Sequence, residues 1–155
     1  MLSEVLFIQY YISPQVGRTF ILRLERGDYL RESLAELAEK ENIKNAVIVS
    51  GIATFDEAKI QTATTTGFPM EYRVEHLNEP LELAGLDGTI INGKPHIHGV
   101  VSSTAKTWAG HIPDGCRILY LGEVVVQELL GIQLKRKPDK DGVMLIYENE
   151  SKDST

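Results

Sequence analysis

Three histidines are the residues of this chain whose types and spacing are best suited to chemistry. His96 and His98 lie one residue apart in the segment Gly-Lys-Pro-His-Ile-His-Gly-Val-Val, residues 93–101, and His111 follows. In a β-strand, residues i and i+2 point to the same face, roughly 6.6 Å apart, so both imidazoles can reach one ion. A third imidazole from a nearby loop would complete a three-histidine set, which is typical of zinc sites that keep one position open. The spacing therefore predicts a divalent-metal site, with zinc as the preferred ion.

A simpler interpretation of the histidines stays open. A His-x-His pair on a strand can also be two half-buried histidines that hydrogen-bond to the backbone, and no fourth ligand is visible in the sequence. A closed cysteine-type zinc site is excluded, because Cys116 is the single cysteine and no Cys-x-x-Cys pair is present. The sequence also contains neither a Gly-x-Gly-x-x-Gly nor a Walker motif, so no nucleotide cofactor is predicted.

Two glutamates, Glu82 and Glu123, interrupt apolar strand-like segments and are weak candidates for a catalytic role. A carboxylate on an apolar face is costly unless it is paired or used. Each could be a further ligand, a partner that orients a ligand imidazole, or a general base. The alternative is a salt bridge at a subunit interface or a sheet edge, with Arg73 and Arg117 as candidate partners.

The elements that must position these residues are mostly strands. Turn residues and β-branched runs predict strands around residues 18–24, 45–50, 58–64, 81–91, 95–101, 119–130, 131–136 and 143–147. Residues 81–91 are expected to bend at Gly85 and Gly88. A turn around Phe55 and Asp56 is expected to separate the second and third strands, and residues 108–113, which contain Trp108 and His111, are expected to form a loop.

One principal helix is predicted at about residues 29–42. Asp28 follows Gly27 and can cap its N-terminus. An apolar stripe then recurs at helical spacing through Leu30, Leu34, Leu37 and Ala38. With eight to ten strands and one helix, the predicted class is α+β with a mainly antiparallel sheet. We expect a single domain over residues 1–147 and a polar C-terminal tail at 148–155.

Charge and composition limit the partners and the cellular location that we expect for this chain. The chain has 155 residues, 22 acidic and 16 basic, with a formal charge of −6, which disfavours DNA binding by this chain alone. The short basic run Lys135, Arg136 and Lys137 is interpreted as a solvated strand end. A lone cysteine fits a reducing compartment. No apolar run approaches a membrane span, and the N-terminal residues lack the basic region of a signal peptide. A soluble cytoplasmic protein is expected.

Five short segments, in order, resemble the Plants and Prokaryotes Conserved (PPC) domain over about residues 17–147. They are Gly-Arg-Thr-Phe-Ile-Leu-Arg-Leu-Glu-Arg-Gly-Asp at 17–28, Ala-Val-Ile-Val-Ser-Gly-Ile-Ala at 46–53, Glu-Leu-Ala-Gly-Leu-Asp-Gly-Thr-Ile at 82–90, Pro-His-Ile-His-Gly at 95–99 with Gly-His at 110–111, and Gly-Glu-Val-Val-Val at 122–126. The resemblance implies an α+β domain that assembles as a homotrimer. It also implies that His96, His98 and His111 match a histidine cluster that binds metal in some members.

The chain departs from the family pattern at several positions. Ala109 and Gly110 stand where the family has Gly-Gly before its third histidine, with Trp108 ahead of them, and Trp108 either narrows the pocket or fills the core. In the segment Glu-Pro-Leu-Glu-Leu-Ala, residues 79–84, only Glu82 matches the partner-contacting segment of plant members. The chain also lacks the Arg-Gly-Arg-Pro AT-hook with which plant members contact DNA. Cupins use His-x-His too, but they need a glutamate where this chain has Ser102 and Ser103.

Two functional hypotheses therefore remain. The first is a metal-dependent enzyme or binder of a small molecule that uses the three histidines. The second is a non-catalytic, trimerising protein-interaction module linked to DNA binding and transcription regulation. The sequence names neither a substrate nor a reaction.

Overall fold

The computed structural model describes residues 8–149, and these form one large sheet, one helix and a small hairpin. The elements are β1 (Gln15–Glu25), α1 (Leu30–Lys40), β2 (Asn45–Ala63), β3 (Tyr72–Leu77), β4 (Leu81–Ile91), β5 (Lys94–Ser102), β6 (Thr107–His111), β7 (Arg117–Leu130), β8 (Leu134–Pro138) and β9 (Met144–Glu148). The predicted α+β class is confirmed, because every strand pairing is antiparallel and one helix accompanies the strands.

The large sheet has seven strands in the order β1-β7-β2-β4-β5-β6, with β3 paired to β2. The long strand β2 also meets β6, where Gln61 lies opposite His111. Strands β2, β4, β5 and β6 therefore form a closed ring of paired strands. The hairpin β8–β9 forms a separate two-stranded sheet.

The helix differs from its prediction at both ends. It begins at Leu30, with Tyr29 in the N-cap position and no side-chain cap. Asp28 does not cap it, because its Oδ2 accepts a hydrogen bond (2.7 Å) from the backbone N–H of Glu25 in the turn after β1. The helix ends at Lys40 rather than at 42, since Asn42 takes a left-handed conformation (φ 54°) and a Schellman motif closes the last turn.

The predicted break inside β2 is wrong. Residues 45–63 form one continuous strand, and Phe55 is fully buried in the core rather than in a turn. Asp56 remains in the strand because Arg117 of β7 donates two hydrogen bonds to its carboxylate, from Nε (2.9 Å) and Nη2 (3.2 Å). The β2–β7 ladder shifts its register on either side of Phe55. These irregularities within a continuous strand account for the turn-like composition of this segment.

The core lies between α1 and one face of the sheet. Strand β5 shows this most clearly, because its residues alternate strictly between exposed and buried. Its inward face consists of Pro95, Ile97, Gly99 and Val101. This face joins the core cluster that contains Leu30 and Leu34 of the helix. The opposite face of β5 is therefore free to carry polar side chains.

Of the predicted tail, only Glu148 and Asn149 are described, and the rest of the tail lies outside the described residues, as do residues 1–7. Glu148 is the last residue of β9, and the backbone N–H of Asn149 donates to the carbonyl of Gln133 (2.7 Å). Within residues 8–149, no helix has the length and apolar character needed to cross a membrane.

Candidate metal centre

His96, His98 and His111 come together on the outward face of β5 and β6. His96 and His98 alternate with buried residues on β5, and His98 lies directly opposite His111 on β6. The three ring centroids form a triangle with sides of 5.3, 4.9 and 5.4 Å. One nitrogen from each ring lies within 4.8 Å of the others, which is close enough for all three to bind one ion. We call these residues the histidine cluster.

The predicted loop at residues 108–113 is wrong, because Thr107–His111 is a strand that pairs with β5. Gly110 and Pro113 are residue types typical of a loop. Within the sheet, however, Gly110 allows β6 to approach β2 closely. A Cβ on Gly110 would stand 2.6 Å from the carbonyl oxygen of Gln61 on β2. The absence of a side chain at residue 110 therefore lets β6 lie against β2 and brings His111 to the cluster.

A second glycine lies behind His96. A Cβ on Gly88 of β4 would stand 2.3 Å from the carbonyl oxygen of His96. Of the bends predicted at Gly85 and Gly88, only the first coincides with an irregularity of the β4–β5 ladder, whose register shifts between Leu83 and Gly85. These positions fix how closely β4 and β5 pack, and hence where the two β5 histidines project.

The surroundings of His96 and His111 favour the uncharged imidazole, which is the form that binds metal. The pKa of His111 is lowered to about 4, first by burial and then by the neighbouring His96 and His98, against a smaller opposite effect of the Ile97 backbone. The pKa of His96 is also lowered, first by burial and then by the nearby Arg136. The Nδ1 atom of His111 is buried and has no hydrogen-bond partner within residues 8–149. A buried imidazole nitrogen without a partner and three converging rings together fit a divalent ion.

The two glutamates do not join the cluster in this chain. Glu82 is exposed and lies opposite Ser102 on β5, four residues and roughly 13 Å along the strand from His98. Glu123 is exposed on β7, three strand spacings or roughly 14 Å away across the sheet. It lies opposite Arg23 on β1. Within residues 8–149, the cluster thus contains only histidine ligands.

Trp108 packs against the core and lies outside the cavity beside the cluster. Its ring is also covered by the ammonium group of Lys106, 5.1 Å from the ring centroid. Of the two roles considered for Trp108, the packing role is the one observed.

Basic side chains that sequence reasoning does not connect with the site lie beside the cluster. A cavity of about 320 Å³ is lined by His96 and His111 together with Arg31, Lys94, Lys135 and Arg136. Helical periodicity places Arg31 on the wet side of the helix, and composition makes Arg136 part of a solvated strand end. Nothing local indicates that the hairpin packs near β4 and β5.

The family model of the Plants and Prokaryotes Conserved (PCC) domain matches residues 11–130. The bifunctional protein GlmU from two Synechococcus strains is 28% identical over 123 and 128 residues, which are 79% and 81% of this chain. The chain spans about a fifth of the length of these curated relatives, 19% in each case.

Solved structures share the fold over most of the chain. A plant- and prokaryote-conserved protein from Pyrococcus horikoshii is 30% identical, with a TM-score of 0.74, and the match covers 88% of this chain and 96% of that one. A metal-containing protein from Archaeoglobus fulgidus is 28% identical, with a TM-score of 0.79 and coverage of 91% and 100%. A proposed DNA-binding protein from Bacteroides thetaiotaomicron, 20% identical with a TM-score of 0.73 and coverage of 86% and 94%, shows the shared fold alone.

Proposed function

Since this chain belongs to the Plants and Prokaryotes Conserved domain family, we propose that it is a metal-binding member in which His96, His98 and His111 hold one divalent ion, zinc in the first instance. The observation that carries this proposal is the convergence of three imidazoles whose ligand atoms lie within 4.8 Å of one another. The similar Archaeoglobus protein is described as metal-containing, which supports the assignment.

We propose that the site acts on a small polar molecule, by hydrolysis or a related lyase step. A divalent ion with an open position can lower the pKa of a bound water or polarise a substrate oxygen. The chain contributes three neutral imidazoles, which supply no negative charge and so leave the ion strongly electrophilic. The half-exposed position of the cluster, at the edge of a cavity of about 320 Å³, gives a small molecule access to it.

Trimeric assembly is also part of this proposal. The sheet face away from the core exposes apolar side chains on β1, β2 and β7, including Ile21 (78% exposed), Ile52 (52%) and Leu121 (47%). An apolar surface of this kind is typical of a subunit interface. Glu123 lies opposite both Ile52 and Arg23 on this face, so we place it at the proposed interface rather than at the histidine cluster.

The second candidate function is a non-catalytic trimerising module that takes part in DNA-linked regulation. The shared fold with a proposed DNA-binding protein favours it. The formal charge of −6 opposes direct DNA contact, so in this case regulation would act through protein partners. A cytoplasmic location suits either function, and Cys116, a buried free thiol, supports a reducing compartment.

Elemental analysis of protein purified without a histidine tag tests the metal assignment. We expect about one divalent ion per chain, or restoration to that level when zinc is added to stripped protein. Near-zero metal that added zinc does not restore would contradict the proposal. A metabolite screen then separates an enzyme from a structural ion. If the parent turns over no compound and the His98→Ala variant fails to assemble, the ion is structural.

A further inference from the structure

The β8–β9 hairpin, residues 134–148, lies beyond the segment that the family model matches, yet it reaches the histidine cluster. Nη2 of Arg136 donates a hydrogen bond to Oγ1 of Thr89 on β4 (2.7 Å). Thr89 is the direct cross-strand neighbour of His96. The hairpin thus places a guanidinium group beside one of the three histidines.

The charge of Arg136 is not neutralised by any carboxylate within residues 8–149, because none of the acidic side chains there forms an ion pair with it. Arg136 is half-buried, and its burial lowers the pKa of its guanidinium group. A partly desolvated arginine of this kind keeps donor capacity for an oxyanion, whose two oxygens match the fork of the guanidinium group.

A second arginine reaches the same cavity from the helix. Nη1 of Arg31 pairs with Asp114, while its Nε is buried and has no hydrogen-bond partner within the described part of the chain. Arg31 and Arg136 both line the cavity whose wall also contains His96. The two arginines therefore lie near the cluster from opposite parts of the sequence.

The cavity is locally basic in an acidic protein. Arg31, Lys94, Lys135 and Arg136 line it, and none of the acidic side chains that the structure describes does so. The whole chain has a formal charge of −6, so this concentration of positive charge is a local feature. A cavity of about 320 Å³ lies within the size range of small-molecule sites, at its lower end. A recessed pocket of this size suits a small anion better than a nucleic acid backbone, which would meet the acidic remainder of the surface.

We propose that this cavity binds the carboxylate or phosphate group of a small anionic substrate, which Arg136 and Arg31 hold beside His96. The inference rests on the proposed function of the histidine cluster and specifies its substrate class. Arg136 is a substrate-binding residue here, and its hairpin supplies a charged group that recognises the anion. Because an oxyanion can bind to the arginines with or without an ion on the histidines, the two proposals are separable.

The test is a titration of metal-free protein with sulfate and, separately, with succinate, followed by ¹⁵N NMR. We expect saturable shifts around the cavity in the parent protein. Affinity should fall about ten-fold in Arg136→Gln, which corresponds to the loss of one charge-assisted interaction. Lys137→Gln is the matched control, because this lysine is exposed on the same strand and does not line the cavity. It should bind within about two-fold of the parent.

Arg31→Gln provides a second variant that leaves the hairpin intact, and it should also weaken oxyanion binding. If the parent and both arginine variants bind sulfate and succinate equally, or if none binds either anion, the inference is wrong. If a labelled DNA duplex binds the parent instead and loses affinity in Arg136→Gln, the pocket is a nucleic-acid contact and the inference is also wrong.

Zinc stoichiometry, measured in parallel, should not change in Arg136→Gln. Sulfate binding by a parent that takes up no zinc would refute the metal proposal and leave the anion site standing.

Discussion

His98 on β5 and His111 on β6 are direct cross-strand partners, so the pairing of two short strands sets the geometry of the histidine cluster. Directly opposed residues in an antiparallel pair have Cβ atoms roughly 4.5–5.5 Å apart, which suits two ligands of one ion. A slip of one residue would send one imidazole to the opposite face of the sheet. The β5–β6 register is therefore as important for the site as the histidines themselves.

A methyl group at residue 110 should disturb this register. In Gly110→Ala, the new Cβ would stand 2.6 Å from the Gln61 carbonyl, so β6 must move away from β2. We expect a loss of about 1–3 kcal/mol in the free energy of unfolding, together with weaker zinc binding. Gly67→Ala is the control, because a Cβ at residue 67 would meet nothing within 4 Å. Urea unfolding and zinc titration measure both effects, and equal behaviour of the two variants would contradict the prediction.

Removal of one ligand should abolish metal binding without unfolding the chain. His98 is exposed on β5, so His98→Ala leaves no core cavity. We expect its zinc stoichiometry to fall to near zero, with a far-ultraviolet spectrum like that of the parent. His76→Ala removes an exposed histidine of β3 outside the cluster and should retain all of its zinc. Zinc loss in both variants would show that the metal is not specific to the cluster.

Metal-free protein should lose stability as the pH falls from about 6.5 towards 4. The pKa of His111 is lowered to about 4 in the folded state, against 6.5 in an unperturbed histidine. Between these values the unfolded chain binds more protons than the folded chain, so folding stability rises with pH. Urea midpoints measured in the presence of a chelator report this slope. His111→Gln cannot titrate and should have a shallower slope, and identical slopes in the two proteins would refute the assignment.

A charge on the exposed apolar face should break the proposed trimer. Ile21 is 78% exposed in the single chain, and it should become buried in the assembly. Ile21→Glu would place a carboxylate in an apolar interface, and we expect it to shift the protein to monomers at micromolar concentration. Val74→Glu, at an exposed apolar residue of β3, is the control. Light scattering measures the mass, and a monomeric parent would already contradict the trimer.

No tight DNA binding is expected from this chain alone. Three copies with a formal charge of −6 each would carry −18, and phosphate contacts would have to overcome that field. An anisotropy titration with duplex DNA at physiological salt should remain flat. Saturable submicromolar binding that weakens steeply with added salt would contradict this prediction and favour the regulatory function over the metal-dependent one.

The sequence predicts the candidate site best where the relevant pattern lies within a single strand. The outward projection of His96 and His98 follows from alternation alone, and β5 confirms it. The third histidine is predicted in a loop because glycine and proline surround it, although Gly110 serves close packing of β6 on β2. Local composition cannot distinguish a glycine that turns the chain from one that admits a neighbouring strand.

The place of Arg136 beside the cluster escapes sequence reasoning for a different reason. It depends on how a hairpin docks against β4, and the residue that Arg136 contacts, Thr89, is 47 positions earlier in the chain. No local period encodes such a contact. The break predicted in β2 has a similar cause, since Asp56 stays in the strand through hydrogen bonds to Arg117, 61 positions later.

The strict alternation of β5 has a consequence for protein engineering. Lys94, His96, His98 and Val100 face outward, and each inward neighbour belongs to the buried side of the strand. Stability and reactivity are therefore encoded at interleaved positions of one nine-residue segment. A combinatorial library restricted to the outward positions could vary reactivity at little thermodynamic cost, so the usual trade-off between new activity and foldedness should be mild along this strand.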